Sequence, residues 1–198
     1  MSIPPPVLPQ EAPRTTYLVV DGENIDATLG NGVLGGRRPA PGERPRWDTV
    51  LAHAERHYGQ PVKGLFFLNA SSGQLPMGFV SALLAMRYRP VPLSGPSSVK
   101  VVDEGILRTL EALRGRPADL LLASHDGDFL TAVTDLLADG GHRVGLLGFR
   151  EFVNHGFAEL VDRGLEMLDL ETAVGAFTVP LPRVRIIPLE EFDPLDFL

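Results

Sequence analysis

Short apolar runs alternate with amphipathic stretches along most of the chain. Each apolar run has the length of a buried strand and ends abruptly in polar residues, as parallel strands do at their carboxyl ends. Between the runs, apolar residues recur at helical spacing and are followed by glycine or proline, which end helices. The pattern predicts strands at residues 17–21, 62–68, 88–93, 119–124 and 143–147 and helices at residues 48–58, 76–86, 103–114 and 128–138.

This alternation predicts an α/β fold. We expect a mostly parallel sheet with helices on both faces and right-handed crossovers, a three-layer, Rossmann-like architecture. In such sheets the ligand crevice lies outside the carboxyl ends of the strands. Functional residues should therefore lie where an apolar run turns polar.

Proline and glycine mark the parts of the chain outside the regular pattern. Residues 1–14 contain five prolines, and we expect a disordered lead-in there. A single domain should cover residues 15–178, followed by a tail over residues 179–198. Acidic residues in the tail are mixed with Phe192 and Phe197, so it either packs along the domain or docks on a partner protein or a second copy of the chain.

Residues 30–46 are too rich in glycine and proline for regular structure, and we expect a long mobile loop. Long loops inside compact domains are frequently functional. The loop at residues 30–46 starts shortly after the end of the first strand, so its arginines could lie over a site at the carboxyl ends of the strands. They are Arg37, Arg38, Arg44 and Arg46.

Composition narrows the class of protein. The chain has 198 residues, of which 44% are apolar and 22% charged, the balance of a folded domain rather than a disordered chain. It contains no cysteine, which excludes disulfide scaffolds, thiolate metal sites and cysteine nucleophiles. There is no signal-peptide pattern and no apolar run long enough to span a bilayer, so we expect a soluble cytoplasmic protein.

Three segments bring aspartates to the expected edge of the sheet. Asp21 ends the first apolar run, and Asp126 and Asp128 follow the fourth. Asp103 opens the helix after the third strand, so it can face the same rim. Helix capping alone could explain Asp103 and Asp128, whereas Asp21, at the end of an apolar strand, has no such explanation.

Clustered carboxylates repel one another, and a fold gathers them only where positive charge compensates. Mg²⁺ prefers oxygen ligands, and it can be held by one or two carboxylates together with substrate phosphates. A metal-bound water can then hydrolyse a phosphodiester. The net charge of −7 argues against broad adsorption to nucleic acid, but bound cations would cancel the acidic charge locally.

Three segments resemble the signature motifs of the NYN domain family, a member of the PIN-like nuclease superfamily. They read V-V-D-G-E-N (residues 19–24), K-V-V-D (residues 100–103) and S-H-D-G-D-F (residues 124–129). Motif order and spacing extend the resemblance over roughly residues 16–165. It implies a PIN-like fold and Mg²⁺- or Mn²⁺-dependent cleavage of single-stranded RNA. The catalytic, metal-binding residues would be Asp21, Asp103, Asp126 and Asp128.

The resemblance also implies roles for neighbouring residues. Asn24 would orient Asp21 or touch a metal-bound water, and Ser124 would hydrogen-bond a ligand carboxylate. Lys100 would neutralise the acidic cluster or contact phosphate. Strand alternation should point His125 away from the motif residues on either side, so we interpret it as a core or surface histidine rather than a general base.

Two functional hypotheses follow. The first is a metal-dependent ribonuclease in which Arg37 and Arg38 help to bind RNA. The second is a non-catalytic, metal- or RNA-binding regulatory module of the same fold, which the net charge of −7 and the lack of an extended basic groove favour. Residues 30–46 also form a longer connection than the family usually has, and there is no appended RNA-binding module.

Overall fold

Six parallel strands form one sheet in the computed structural model, which describes residues 14–198. The strands are β1 (Thr15–Asp21), β2 (Val62–Asn69), β3 (Tyr88–Leu93), β4 (Ala118–Ala123), β5 (Val144–Gly148) and β6 (Leu165–Asp169). They lie side by side in the order β3-β2-β1-β4-β5-β6. The order reverses between β1 and β4, so the carboxyl ends of these two strands form the switch point where doubly wound sheets bind ligands.

Helices cover both faces of the sheet. They are α1 (Gly22–Thr28), α2 (Trp47–Tyr58), α3 (Met77–Ala85), α4 (Val101–Leu113) and α5 (Leu130–Ala138), with a 3₁₀ helix at His155–Arg163. Successive strand residues point to opposite faces, so β1 sends Leu18 and Val20 into the core with α1, α2 and α3, and Val19 into the core with α4 and α5. Two cores on either side of one sheet confirm the predicted three-layer α/β fold.

The nine predicted strands and helices are all present, with boundaries within two residues of the observed ones. The sequence pattern does not predict α1 or β6. Of the residues in α1 only Ile25 is buried, so this helix has no apolar stripe. β6 lies at the edge of the sheet and buries only Leu165 and Asp169, so it contains no apolar run.

Residues 30–46 are more ordered than the sequence predicts. A π-helical turn at Leu29–Val33 continues α1, and a 3₁₀ turn follows at Pro41–Glu43. The expectation of an irregular loop is therefore wrong for these turns. Two glycines of this segment are needed because neighbouring atoms leave no room for a side chain. A Cβ on Gly30 would lie 2.8 Å from the carbonyl oxygen of Arg37, and one on Gly32 would lie 2.6 Å from the ring of Phe152.

Both ends of the described chain contact the domain. Arg14 pairs with Asp119 in β4, so the predicted lead-in is wrong at its last residue, and the rest of it lies outside the described residues. In the tail, the side chain of Arg183 is 3% exposed and pairs with three carboxylates, whereas Phe197 is exposed. The three are Glu151, Asp169 and Glu171. Within residues 14–198, no helix has the length and apolar character needed to cross a membrane.

Candidate metal centre

Asp21 lies at the carboxyl end of β1 with both carboxylate oxygens hydrogen-bonded, and it is 3% exposed. Oδ1 accepts a hydrogen bond from the backbone N–H of Asn24 over 3.2 Å, and Oδ2 accepts one from the hydroxyl of Ser124 over 3.2 Å. Asp21 is thus the N-cap of α1. The interpretation that it has no capping role is wrong, because the chain turns directly from β1 into a helix that the pattern does not reveal.

The loop after β4 is fixed by short-range hydrogen bonds. The hydroxyl oxygen of Ser124 accepts from the N–H of Asp126 over 3.2 Å. Oδ1 of Asp126 in turn accepts from the N–H of Asp128 over 2.9 Å and caps a 3₁₀ turn at Gly127–Phe129. Ser124 therefore joins Asp21 to this loop, which agrees with its implied role as a partner of a ligand carboxylate.

Asp103 meets Asp126 and Asp128 in a triad: one carboxylate oxygen of each lies within 4.8 Å of the others. Asp103 is the third residue of α4, where Lys100 holds the N-cap position, and Asp126 rather than Asp128 caps the 3₁₀ turn. Neither Asp103 nor Asp128 is therefore an N-cap, although both lie in a first helical turn, where the helix dipole favours acidic side chains.

The ammonium of Lys100 bridges two members of the triad. Its Nζ lies 2.8 Å from Oδ2 of Asp128 and 3.3 Å from Oδ2 of Asp103. These hydrogen bonds, to Asp128 foremost, raise the pKa of Lys100 and keep it charged. The side chain of Lys100 is 70% exposed, so little packing holds its ammonium in place. The contact agrees with the neutralising role that the motif resemblance implies.

Asp21 lies close enough to the triad for the charges of Asp103 and Asp126 to raise its pKa. Burial, with a contribution from the charges of Asp103 and Asp126, raises the pKa of Asp21 to about 6, although the hydrogen bonds from Asn24 and Ser124 oppose this. The ionised form of Asp21 is therefore disfavoured until positive charge approaches. The structure brings the four predicted aspartates to one edge of the sheet, with Asp21 outside the three-residue group.

Asn24 joins the first motif to the third through His125. Its side-chain Oδ1 accepts from the backbone N–H of His125 over 2.9 Å and lies 2.9 Å from Nδ1 of the ring. Nε2 of the ring accepts from the N–H of Phe149 over 2.8 Å, which places the ring proton on Nδ1. Asn24 thus orients Asp21 through its backbone N–H and not through its amide. His125 is 5% exposed, a core histidine, as one of the two interpretations had it.

A layer beneath the site includes residues that the sequence did not single out. The ring of His125 stacks on Phe149 with centroids 5.6 Å apart, and the guanidinium of Arg183 lies 5.0 Å from the centroid of Phe149. Arg183 comes from the tail, which packs along the domain at this point, one of the two arrangements that the sequence suggests. Its signal in the sequence is weak, because a single arginine among apolar and acidic residues has no periodic pattern.

The donors suit a hard divalent cation. Every candidate ligand atom is a carboxylate oxygen, which is the ligand type that Mg²⁺ and Mn²⁺ prefer. Ligand bonds are about 2 Å long, so oxygens within 4.8 Å of one another need only small rotations to share one ion.

The arginines of residues 30–46 do not contact the aspartates of the site. Arg37 binds Glu43 through two hydrogen bonds of 2.7 and 2.5 Å, and Arg44 pairs with Asp26 at 2.8 Å. Together with Arg38 they line a cleft that includes none of the four aspartates. Arg46 pairs instead with Asp48 at 3.5 Å. A role of Arg37 and Arg38 in binding RNA stays a prediction.

No protein-family model matches the chain, and no curated protein matches its sequence. Among solved structures, a protein of unknown function from Vibrio parahaemolyticus is similar, with a TM-score of 0.65 and 16% sequence identity. The match covers 84% of this chain and 99% of the Vibrio chain. At this identity the similarity supports the α/β fold alone.

Proposed function

We propose that the protein is a ribonuclease that hydrolyses phosphodiester bonds of single-stranded RNA in the cytoplasm, using Mg²⁺ or Mn²⁺. Its metal ligands would be Asp21, Asp103, Asp126 and Asp128. The observation that carries this proposal is that Asp103 of α4 meets Asp126 and Asp128 of the loop after β4, and that Asp21 at the end of β1 lies near enough for their charges to raise its pKa. RNA as the substrate rests on the resemblance of three motifs to the NYN domain family.

The electrostatics of the site support a functional role. Burial and neighbouring acids raise the pKa of Asp21 to about 6, so ionising this carboxyl group costs free energy in the metal-free protein. Strongly perturbed carboxylates of this kind are typical of functional sites. The charge becomes favourable once a cation is bound.

The residues around the ligands have separable tasks. Ser124 and the N–H of Asn24 fix the orientation of Asp21 before any substrate arrives, which reduces the entropy lost on binding. A bound divalent cation would supply an activated water and would stabilise charge on the phosphate oxygens. Lys100 would compete with that cation for Asp128, and an ammonium displaced from Asp128 would be able to contact a phosphate oxygen.

One observation favours the second hypothesis, a non-catalytic metal- or RNA-binding regulatory module. Lys100 compensates Asp103 and Asp128 within the protein, so the cluster persists without metal. In such a module RNA would bind stably in the presence of Mn²⁺ without being cleaved. The ribonuclease and the regulatory module would both bind RNA, and the ribonuclease alone would cleave it.

An assay of the cleavage of fluorescently labelled single-stranded RNA in Mn²⁺ distinguishes the ribonuclease from the regulatory module. We expect the wild type to cleave, and Asp126→Asn to lose the activity by roughly two orders of magnitude or more while keeping its circular dichroism spectrum. Asp162→Asn, at an exposed aspartate in the His155–Arg163 helix, is the matched control and should cleave normally. Stable binding without turnover supports the regulatory module. A wild type that neither cleaves RNA nor binds Mn²⁺ overturns the ribonuclease.

A further inference from the structure

A cleft of about 720 Å³ opens between α1, residues 30–47 and the start of α3, and none of the four aspartates lines it. Its volume falls in the usual range of small-molecule sites, about 300 to 1,000 Å³. Gly22 forms part of its wall and directly follows Asp21. Consecutive Cα atoms are about 3.8 Å apart, so the cleft begins next to a candidate metal ligand.

The floor of this cleft is aromatic. Phe66 packs edge-on against Trp47 and Phe79, with ring centroids 5.2 and 5.3 Å apart. A Cβ on Gly22 would lie 2.3 Å from the ring of Phe66, so glycine lets this ring approach the backbone beside the site. Trp47 and Phe66 are buried, whereas Phe79 is half-buried and presents part of its ring to the cleft. Of these three rings Phe79 offers surface to a ligand, and an accessible aromatic ring can stack on a nucleobase.

Among the residues that the structure describes, one guanidinium of the rim has no partner. Glu43 binds Arg37, and Asp26 binds Arg44. The remaining acid of the lining, Glu23, accepts a hydrogen bond from the N–H of Asn69 over 3.3 Å. Arg38 is exposed and makes no hydrogen bond or ion pair with any residue that the structure describes. An unpaired guanidinium is well suited to bind phosphate through charge-assisted hydrogen bonds.

We propose that this cleft binds one nucleotide of a single RNA strand, with the base on the aromatic floor near Phe79 and the phosphate on Arg38. A base in a duplex is paired and stacked and cannot enter, so the cleft selects single strands. The inference rests on the proposed function for the cleavage that follows at the aspartates. Binding in the cleft does not itself require that cleavage.

Trp47 reports directly on the cleft, because it is the single tryptophan of the chain and lines this cavity. Adenosine 5′-monophosphate has no internal phosphodiester, so its binding is independent of nuclease activity. We expect it to quench the fluorescence of Trp47 saturably. Arg38→Gln should weaken this binding roughly tenfold, the usual loss for a charge-assisted hydrogen bond. Arg116→Gln, at an exposed arginine just before β4 and so at the opposite edge of the sheet, should bind like the wild type.

Cleavage kinetics give a second readout. With single-stranded RNA in Mn²⁺, Arg38→Gln should raise KM roughly tenfold and leave kcat unchanged, because the lost contact serves binding alone. If the wild type cleaves no RNA but the nucleotide still quenches Trp47 in an Arg38-dependent way, the cleft proposal stands and the ribonuclease fails. Absence of saturable quenching, equal affinity of Arg38→Gln and the wild type, or equally tight binding of inorganic phosphate alone overturns the cleft proposal.

Discussion

Nζ of Lys100 lies 2.8 Å from Oδ2 of Asp128, so a largely exposed side chain provides the positive charge at the aspartate triad. A divalent cation and this ammonium would compete for the carboxylates of Asp103 and Asp128. The affinity of the site for metal should therefore depend on a residue that binds no metal.

Replacing Lys100 by glutamine should strengthen Mn²⁺ binding, because the competing ammonium is removed. The side chain is exposed, so we expect a change of roughly two- to fivefold in Kd, measured by titration calorimetry. Lys63→Gln is the matched control, since Lys63 is the other lysine of the chain and lies near the amino end of β2. Weaker Mn²⁺ binding by Lys100→Gln would contradict the proposed competition.

Asp21→Asn should stabilise the metal-free protein at pH 8 by on the order of 1 to 2 kcal/mol, because it removes a buried carboxylate whose charge is disfavoured. The folded pKa of about 6 exceeds the ordinary value of 3.8. The stability that protonated Asp21 contributes is therefore complete below about pH 4 and is lost as the pH rises through 6. Urea unfolding in EDTA at pH 4 and pH 8 tests this, and a variant no more stable than the wild type at pH 8 would count against it.

His125 should stay neutral well below pH 6. Burial lowers its pKa to about 4, from an ordinary value of 6.5. The stability that neutral His125 contributes is present above pH 6.5 and is lost as the pH falls through about 4. Its ring-proton shift, followed by NMR and assigned with His125→Phe, should titrate near pH 4. A midpoint near 6.5 would show that the ring is not locked between Asn24 and Phe149.

Arg183→Gln should destabilise the domain by about 3 kcal/mol, because it leaves buried carboxylates without their cation. Burial alone would raise the pKa of Asp169, but hydrogen bonds from Arg183 and from the backbone hold that pKa below its ordinary value. Arg185→Gln is the control, since Arg185 is exposed and two residues along the same tail. Equal thermal stabilities of the two variants would show that Arg183 does not anchor the tail.

The sequence predicts the three layers of the fold and which aspartates gather at the carboxyl ends of the strands, because both depend on local patterns. Buried strands require apolar runs, and the polar residues that follow them mark the ligand-binding edge. Asp21 and Asp126 were found in this way, and both lie at the switch point.

The sequence was a poor guide to what each aspartate does in the fold. Asp21 and Asp126 act as caps, although capping was weighed only for Asp103 and Asp128, which are not N-caps. Capping depends on where a helix begins to within one residue, and sequence patterns do not fix boundaries so closely. Arg183 was missed for a different reason, since its partners are distant in sequence.

A crystal structure of the protein soaked in Mn²⁺ tests the metal site most directly. Anomalous scattering should show at least one Mn²⁺ about 2 Å from carboxylate oxygens of Asp103, Asp126 and Asp128, with the ammonium of Lys100 displaced from Asp128. Absence of a peak at this edge of the sheet, with Lys100 still bound to Asp128 at a saturating Mn²⁺ concentration, would contradict the proposed metal centre.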